Sequence, residues 1–151
     1  MLKGIDPLLS PPLLQVLAEM GHGDEIVLAD SNFTAASLAG ARPLIRLPGV
    51  GMRDACAAVL SLLPLDDFVA RPAAYMQVGD TPASYRSALQ REVIERLVAD
   101  GHAQPGQFEA LERFAFYERA RGAFAIVQTG ERQAWANFLF KKGVIAEPLR
   151  P

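Results

Sequence analysis

Short apolar runs alternate along this chain with apolar positions at helical spacing, and glycine, proline and small polar residues separate them. Ser10-Pro11-Pro12 opens the first helix with a capping hydroxyl and a proline in the first turn. Leu13, Leu14, Leu17 and Met20 then mark one face, and Gly21 is placed to end it. Ile26-Val27-Leu28, inside Glu25–Ala29, is a short continuous apolar run and reads as a strand buried on both faces. Asp30-Ser31-Asn32 behind it is turn chemistry. Leu44–Leu47 reads as a second strand, Met52–Leu63 as a helix stopped by Pro64, and Ala73–Val78 as a strand ended by Gly79-Asp80. Pro82–Ala99 reads as a long helix with alternating charge on its outer face, and Gly101–Gly106 as a loop. Phe108–Leu111 reads as a helical segment, Ala123–Gln128 as an apolar strand turning at Thr129-Gly130, and Trp135–Phe140 as a last strand before Lys141-Lys142-Gly143. Helices alternating with short apolar strands predict an α/β fold: a three-layer sandwich with helices covering a mostly parallel or mixed sheet. No repeat, low-complexity tract or linker interrupts the pattern, so one domain over 1–151 is expected.

Composition narrows the classes. With 151 residues, half of them hydrophobic, the chain can bury a real core. Its formal net charge is −2 and its cations are scattered, so neither a nucleic-acid stripe nor a polybasic membrane patch is present. No nucleic-acid or membrane partner is expected. Cys56, the single cysteine, lies in the apolar stretch Ala55–Leu63 and reads as a small buried hydrophobe. A chain without an internal disulfide suits a reducing cytoplasm. The N-terminus lacks a signal-peptide pattern and no apolar run is long enough to span a bilayer, so a soluble cytoplasmic protein is expected.

Three clusters carry candidate chemistry. Gly21-His22-Gly23-Asp24, followed six residues on by Asp30, places one of only two histidines between glycines at a helix exit and a strand mouth. Histidine trades a proton near neutral pH, glycine lets the backbone turn tightly, and a nearby carboxylate orients an imidazole or holds a polar substrate. Locally the same residues also read as a helix end followed by a surface histidine. In Arg113-Phe114-Ala115-Phe116-Tyr117-Glu118-Arg119-Ala120, Arg113 and Tyr117 are four apart and would share a helix face. An ion pair beside a core tyrosine is the plainer alternative. Trp135-Ala136-Asn137 puts the only tryptophan and an amide on one side of a strand, an arrangement suited to a sugar's apolar face and hydroxyls. A half-buried aromatic beside a polar turn residue is the other reading.

Other chemistries find less support. Two histidines and one cysteine without paired ligand spacing do not make a zinc site. His102, in Asp100-Gly101-His102, reads as an exposed loop residue. There is no Gly-x-Ser-x-Gly nucleophile elbow. Gly49-Val50-Gly51 before a helix lacks the third glycine and the lysine of phosphate-binding loops.

At these residues the chain resembles the ribose pyranase/fucose mutarotase family (RbsD/FucU), especially its L-fucose mutarotase branch. The resemblance runs through Leu13-Leu14, Met20 to Asp30, Leu63-Pro64-Leu65-Asp66, Pro72 to Met76, Phe116 to Ala120 with Ala123 to Val127, Trp135-Ala136-Asn137 and Lys142-Gly143-Val144. The stretch from Thr81 to Glu112 is the least specific. The resemblance implies His22 as proton donor and acceptor, with Tyr117 able to join the proton transfer. It implies Asp30, Asp66, Met76, Arg113, Trp135 and Asn137 as residues that shape or hold the sugar. It also implies ring-shaped homo-oligomers, typically decamers, with sites at subunit contacts. Two positions depart from the family: tyrosine is usual where Trp135 stands, which exchanges a phenolic hydroxyl for an indole N–H donor, and proline is frequent where Thr34 stands.

The implied reaction is exchange of α and β anomers of a monosaccharide by opening and reclosing a cyclic hemiacetal. A ribose-type pyranase exchanging pyranose and furanose forms uses the same machinery, and a non-catalytic sugar-binding oligomer is the reading from another class. Ring opening needs one proton delivered to the ring oxygen and one removed from the anomeric hydroxyl. General acid–base help of this kind contributes roughly 10²–10⁴-fold. No metal, nucleotide or other cofactor is needed. Spacing adds a constraint: residues 24–30 as one extended strand span roughly 20 Å. His22 and Asp30 then reach one sugar only if the chain bends at Gly23 or a neighbouring subunit completes the site.

Overall fold

The computed structural model describes residues 1–149. Five helices, α1 (Pro11–Glu19), α2 (Ala35–Ala39), α3 (Met52–Leu60), α4 (Ala88–Ala99) and α5 (Arg113–Gly122), alternate with six strands. These are β1 (Glu25–Ala29), β2 (Leu44–Leu47), β3 (Ala73–Met76), β4 (Phe108–Leu111), β5 (Ala125–Thr129) and β6 (Phe138–Lys141). They form one sheet in the order β2-β5-β1-β6-β3-β4. β1 pairs parallel with β5, β5 with β2, and β3 with β4, while β6 runs antiparallel between β1 and β3. All strands but β6 therefore point the same way, and the sheet is the mixed one expected.

Alternation along β1 feeds two apolar layers. Ile26 and Leu28 pack with Leu13 and Leu17 of α1, Met52 and Val59 of α3, and Val93 and Leu97 of α4. Val27 and Ala29 pack on the opposite face with Leu38 of α2 and with Phe116 and Ala120 of α5. Both faces are thus covered, which is why β1 is apolar at every position after Glu25. Cys56 is fully buried in the first layer, and burial pushes its thiol pKa well up. Among the described residues no helix is long and apolar enough to cross a membrane.

Several expected elements are corrected. Phe108–Leu111 is the edge strand β4, in register with Ala73–Met76, and not a helical segment. Four residues are too few for periodicity to separate helix from strand, and sheet pairing decides. Pro82 opens a turn, and the helix expected from it begins only at Ala88, behind a capping box made by Ser87 and Gln90. The helix expected to run to Leu63 ends at Leu60, and β3 ends at Met76. Ser10 occupies the N-cap of α1 without a side-chain bond to it, and Met20, not Gly21, is the C-cap. The helix α2 has no counterpart in the sequence reading. Trp135 has φ 67° and lies in a turn before β6, not in a strand.

Candidate active site

Five parallel strands end at one edge of the sheet, and β6 begins there because it runs the other way. Ligands of open α/β sheets bind outside this carboxyl edge. Asp30 follows β1, Met76 ends β3, Arg113 and Tyr117 lie on α5 just after β4, and Trp135 and Asn137 lead into β6. All six line a single cleft of about 270 Å³, with Asn32, Phe33 and Ala134 completing its wall. Its size is just below the roughly 300–1,000 Å³ typical of ligand pockets.

Asp30 and Asn137, both buried, exchange two hydrogen bonds across the cleft floor. The Asp30 backbone N–H donates to Asn137 Oδ1 at 2.8 Å, and Asn137 Nδ2 donates to Asp30 Oδ2 at 3.0 Å. The other carboxyl oxygen of Asp30 accepts from the Asn32 N–H at 2.9 Å. Burial raises the Asp30 pKa above its ordinary value, and the donors from Asn32, Asn137 and Phe33 only partly oppose it. The result is a carboxyl group fixed in one orientation and able to accept from a hydroxyl.

Arg113 and Tyr117 share a face of α5, as their spacing implies. Arg113 Nε donates to the Tyr117 hydroxyl oxygen at 3.0 Å, and its guanidinium lies 5.3 Å from the Tyr117 ring centroid and 5.5 Å from that of Phe114. The phenolic proton stays available to a ligand. Edge contact with Phe33, at 5.6 Å between centroids, fixes the ring. The α5 helix is started by Glu112, whose carboxylate accepts from the Phe114 and Ala115 N–H groups. Trp135 reaches the cleft from its left-handed turn, with the indole over Gly79; a Cβ there would lie 3.0 Å from two ring carbons.

The remaining two candidates lie at the opposite edge of the sheet. His22 is in the turn that precedes β1, where Gly23 takes φ 85°. Its Nε2 lies 3.1 Å from Asp66 Oδ1, and its ring meets Phe68 edge-on with centroids 5.4 Å apart. Burial raises the Asp66 pKa, but the donors from Phe68 N–H and His22, with the charges of His22 and Lys141, outweigh it and leave it below its ordinary value. An ionised Asp66 accepts only, which assigns the hydrogen to Nε2 and leaves Nδ1 as the acceptor nitrogen of the neutral ring. The end of β6 holds this corner. Gly23 N–H donates to the Lys142 carbonyl, Lys142 N–H to the Asp24 carbonyl, and Asp66 N–H to the Lys141 carbonyl. Lys142 Nζ donates to the Leu17 and Met20 carbonyls at the end of α1. Gly143 passes so close to the Asp66 backbone that a Cβ would lie 2.8 Å from its Cα.

The chain does turn at Gly23, yet the imidazole turns to Asp66 and not to Asp30. Six candidates are therefore brought together and two stand apart. In the sequence Asn32 reads only as part of the turn Asp30-Ser31-Asn32, and Phe33 carries no local signal. Phe68, 74% exposed beside His22, had no local signal. The Gly49–Gly51 turn is occupied by a carboxylate of the protein's own, since Glu131 accepts from the Met52 N–H at the start of α3.

The chain is similar to known proteins over nearly its whole length. The model of the RbsD / FucU transport protein family matches residues 3–145. The fucose mutarotase of Homo sapiens is 46% identical over 96% of this chain and 95% of its own length. The L-fucose mutarotase of Actinobacillus pleuropneumoniae serotype 5b is 44% identical over 95% and 97%. The crystal structure of the fucose mutarotase from Streptococcus pneumoniae in complex with L-fucose superposes with a TM-score of 0.82 at 41% identity, covering 96% of this chain and all of that one. With the same sheet, matched nearly end to end, this chain belongs to the RbsD/FucU family.

Proposed function

We propose that the protein is an L-fucose mutarotase, an isomerase that exchanges the α and β anomers by acid–base opening and closure of the ring. The observation that carries this reading is the carboxyl-edge cleft, where Asp30, Asn137, Trp135 and Tyr117 converge in a chain over 40% identical to fucose mutarotases. Asp30 and Asn137 fix hydroxyls, Met76 and Trp135 supply apolar surface, and Arg113 holds the Tyr117 hydroxyl. His22 Nδ1 performs one proton transfer at the hemiacetal, and the Tyr117 hydroxyl or a water performs the other. Asp66 keeps the imidazole in the required tautomer.

His22 and the cleft lie on opposite edges of the sheet, so the reading places the imidazole of one protomer over the cleft of the next. A closed ring of copies satisfies every cleft in turn, and a decamer is the assembly we propose, in the cytoplasm, where the buried thiol of Cys56 stays reduced.

Exchange NMR between the anomers of L-fucose tests this. The wild type accelerates exchange, His22→Ala loses the acceleration by roughly 10²-fold or more, and D-ribose is exchanged more slowly than L-fucose. Undiminished exchange in His22→Ala removes His22 from the mechanism. Faster exchange of pyranose and furanose forms of D-ribose would make the protein a pyranase.

A further inference from the structure

Gln90 lies in the part of the chain with the weakest motifs, yet its side chain is fully buried and bonded at both ends. It is the third residue of α4, in a reciprocal box with Ser87. Its N–H donates to Ser87 Oγ at 3.2 Å, and its Oε1 accepts from the Ser87 N–H at 3.0 Å. Glutamate serves such a box as well as glutamine. The other end of the side chain decides between them. Nε2 donates to the Met76 carbonyl at 2.8 Å and to the Trp135 carbonyl at 3.1 Å. A carboxylate here would set an oxygen against two carbonyl oxygens. An amide with its oxygen on Ser87 spends both hydrogens on those carbonyls.

Both carbonyls belong to residues of the cleft. Trp135 is one of only two non-glycine residues with positive φ among those described, a conformation that persists where the surroundings over-determine it. Two features do so here: Gly79 leaves room for the indole on one side, and Gln90 fixes the carbonyl on the other. Met76 is held at its second group too, because its N–H donates to the Asn137 carbonyl at 3.0 Å.

We infer that Gln90 is a positioning residue for sugar binding: from the start of α4 it locks the strained Trp135 turn and the end of β3, and so sets the indole against the substrate. This rests on the reading of the cleft as a sugar site. Gln90 touches no substrate, so its effect falls on affinity and not on proton transfer.

Gln90→Glu and the similarly shaped Gln90→Met test this, with Ser87→Ala as the control that weakens the box and spares both carbonyl bonds. The single tryptophan makes fluorescence a direct report on Trp135. In both Gln90 variants the emission shifts to the red and quenching by acrylamide rises, while Ser87→Ala emits as the wild type does. With L-fucose, KM for anomer exchange rises roughly tenfold, the equivalent of one lost hydrogen bond, and kcat stays within about threefold. Unshifted emission in folded Gln90→Met overturns the inference, as does a fall in kcat at constant KM. If the wild type exchanges no sugar at all, the functional reading fails, and the fluorescence arm still decides the role of Gln90.

Discussion

His22 and Asp30 stand at opposite ends of one strand, β1, eight residues apart in sequence and on opposite edges of the sheet. At about 3.3 Å per residue this separation exceeds the reach of a monosaccharide. Protomers carrying His22→Ala and protomers carrying Asn137→Ala should each be inactive alone and recover activity when co-assembled. A random mixture leaves about one site in four with both residues intact when each site draws on two protomers. Mixed assemblies with no activity, formed from variants that still associate, rule out a shared site.

Asp66→Asn replaces an acceptor-only group with an amide that no longer dictates the His22 tautomer. Exchange should fall by roughly 10-fold or more, a fraction of the roughly 10²–10⁴-fold that acid–base catalysis supplies. The pH dependence of stability follows from the lowered Asp66 pKa. Its stabilising contribution is complete above its ordinary value of 3.8 and is lost as pH falls through the lower folded value. The Tm difference between wild type and Asp66→Asn should therefore narrow on acidification below 3.8. Melting curves from neutral to acid pH check this.

Asn137→Ala removes both partners it gives Asp30, leaving a buried backbone N–H unsatisfied and a carboxyl without its Nδ2 donor. The expected loss of stability is about 1–3 kcal/mol, read by denaturant unfolding. The Asp30 carboxyl should titrate higher than in the wild type, because a donor that favours its charged form is gone. An NMR titration of the Asp30 carboxyl measures that shift.

Arg119 joins Glu25 of β1, at 2.5 Å, to Glu109 of β4, at 2.8 Å, across the face covered by α5. Arg119→Ala leaves two partly buried carboxylates, with Lys141 at 3.7 Å as the remaining cation near Glu25. The expected cost is about 1–2 kcal/mol, with part of it screened by solvent. Because the pair is electrostatic, added salt should narrow the gap to wild type in thermal melts.

Elements whose sequence carries their whole cause were legible in advance. The apolar run of β1 needs only its own residues to read as a strand buried on both faces. The shared face of Arg113 and Tyr117 followed from their spacing once a helix was granted, although the sequence reading assigned no helix there. What failed depends on distant partners. Phe108–Leu111 is a strand because β3 lies beside it. Trp135 and Asn137 do converge on one cleft, but through a left-handed turn held by Gln90 and Gly79, not through strand alternation. The contact between His22 and Asp66 joins residues 44 positions apart, while the sequentially nearer Asp30 drew attention first. The resemblance supplied the candidate residues, and strand geometry supplied the separation of His22 from Asp30 along β1.

The antiparallel strand β6 links both halves: it starts next to Asn137 on the cleft floor and runs out into Lys142 and Gly143, which fix the His22 and Asp66 loops. It is the ruler of the protein. Its length sets how far the His22 imidazole stands from the cleft of its own chain, and, under the proposed shared site, the spacing at which neighbouring copies would meet. Lengthening it by one residue would turn its side chains to the wrong layers, and lengthening it by two would leave each layer intact while, in the proposed shared site, putting each imidazole out of step with the neighbouring cleft.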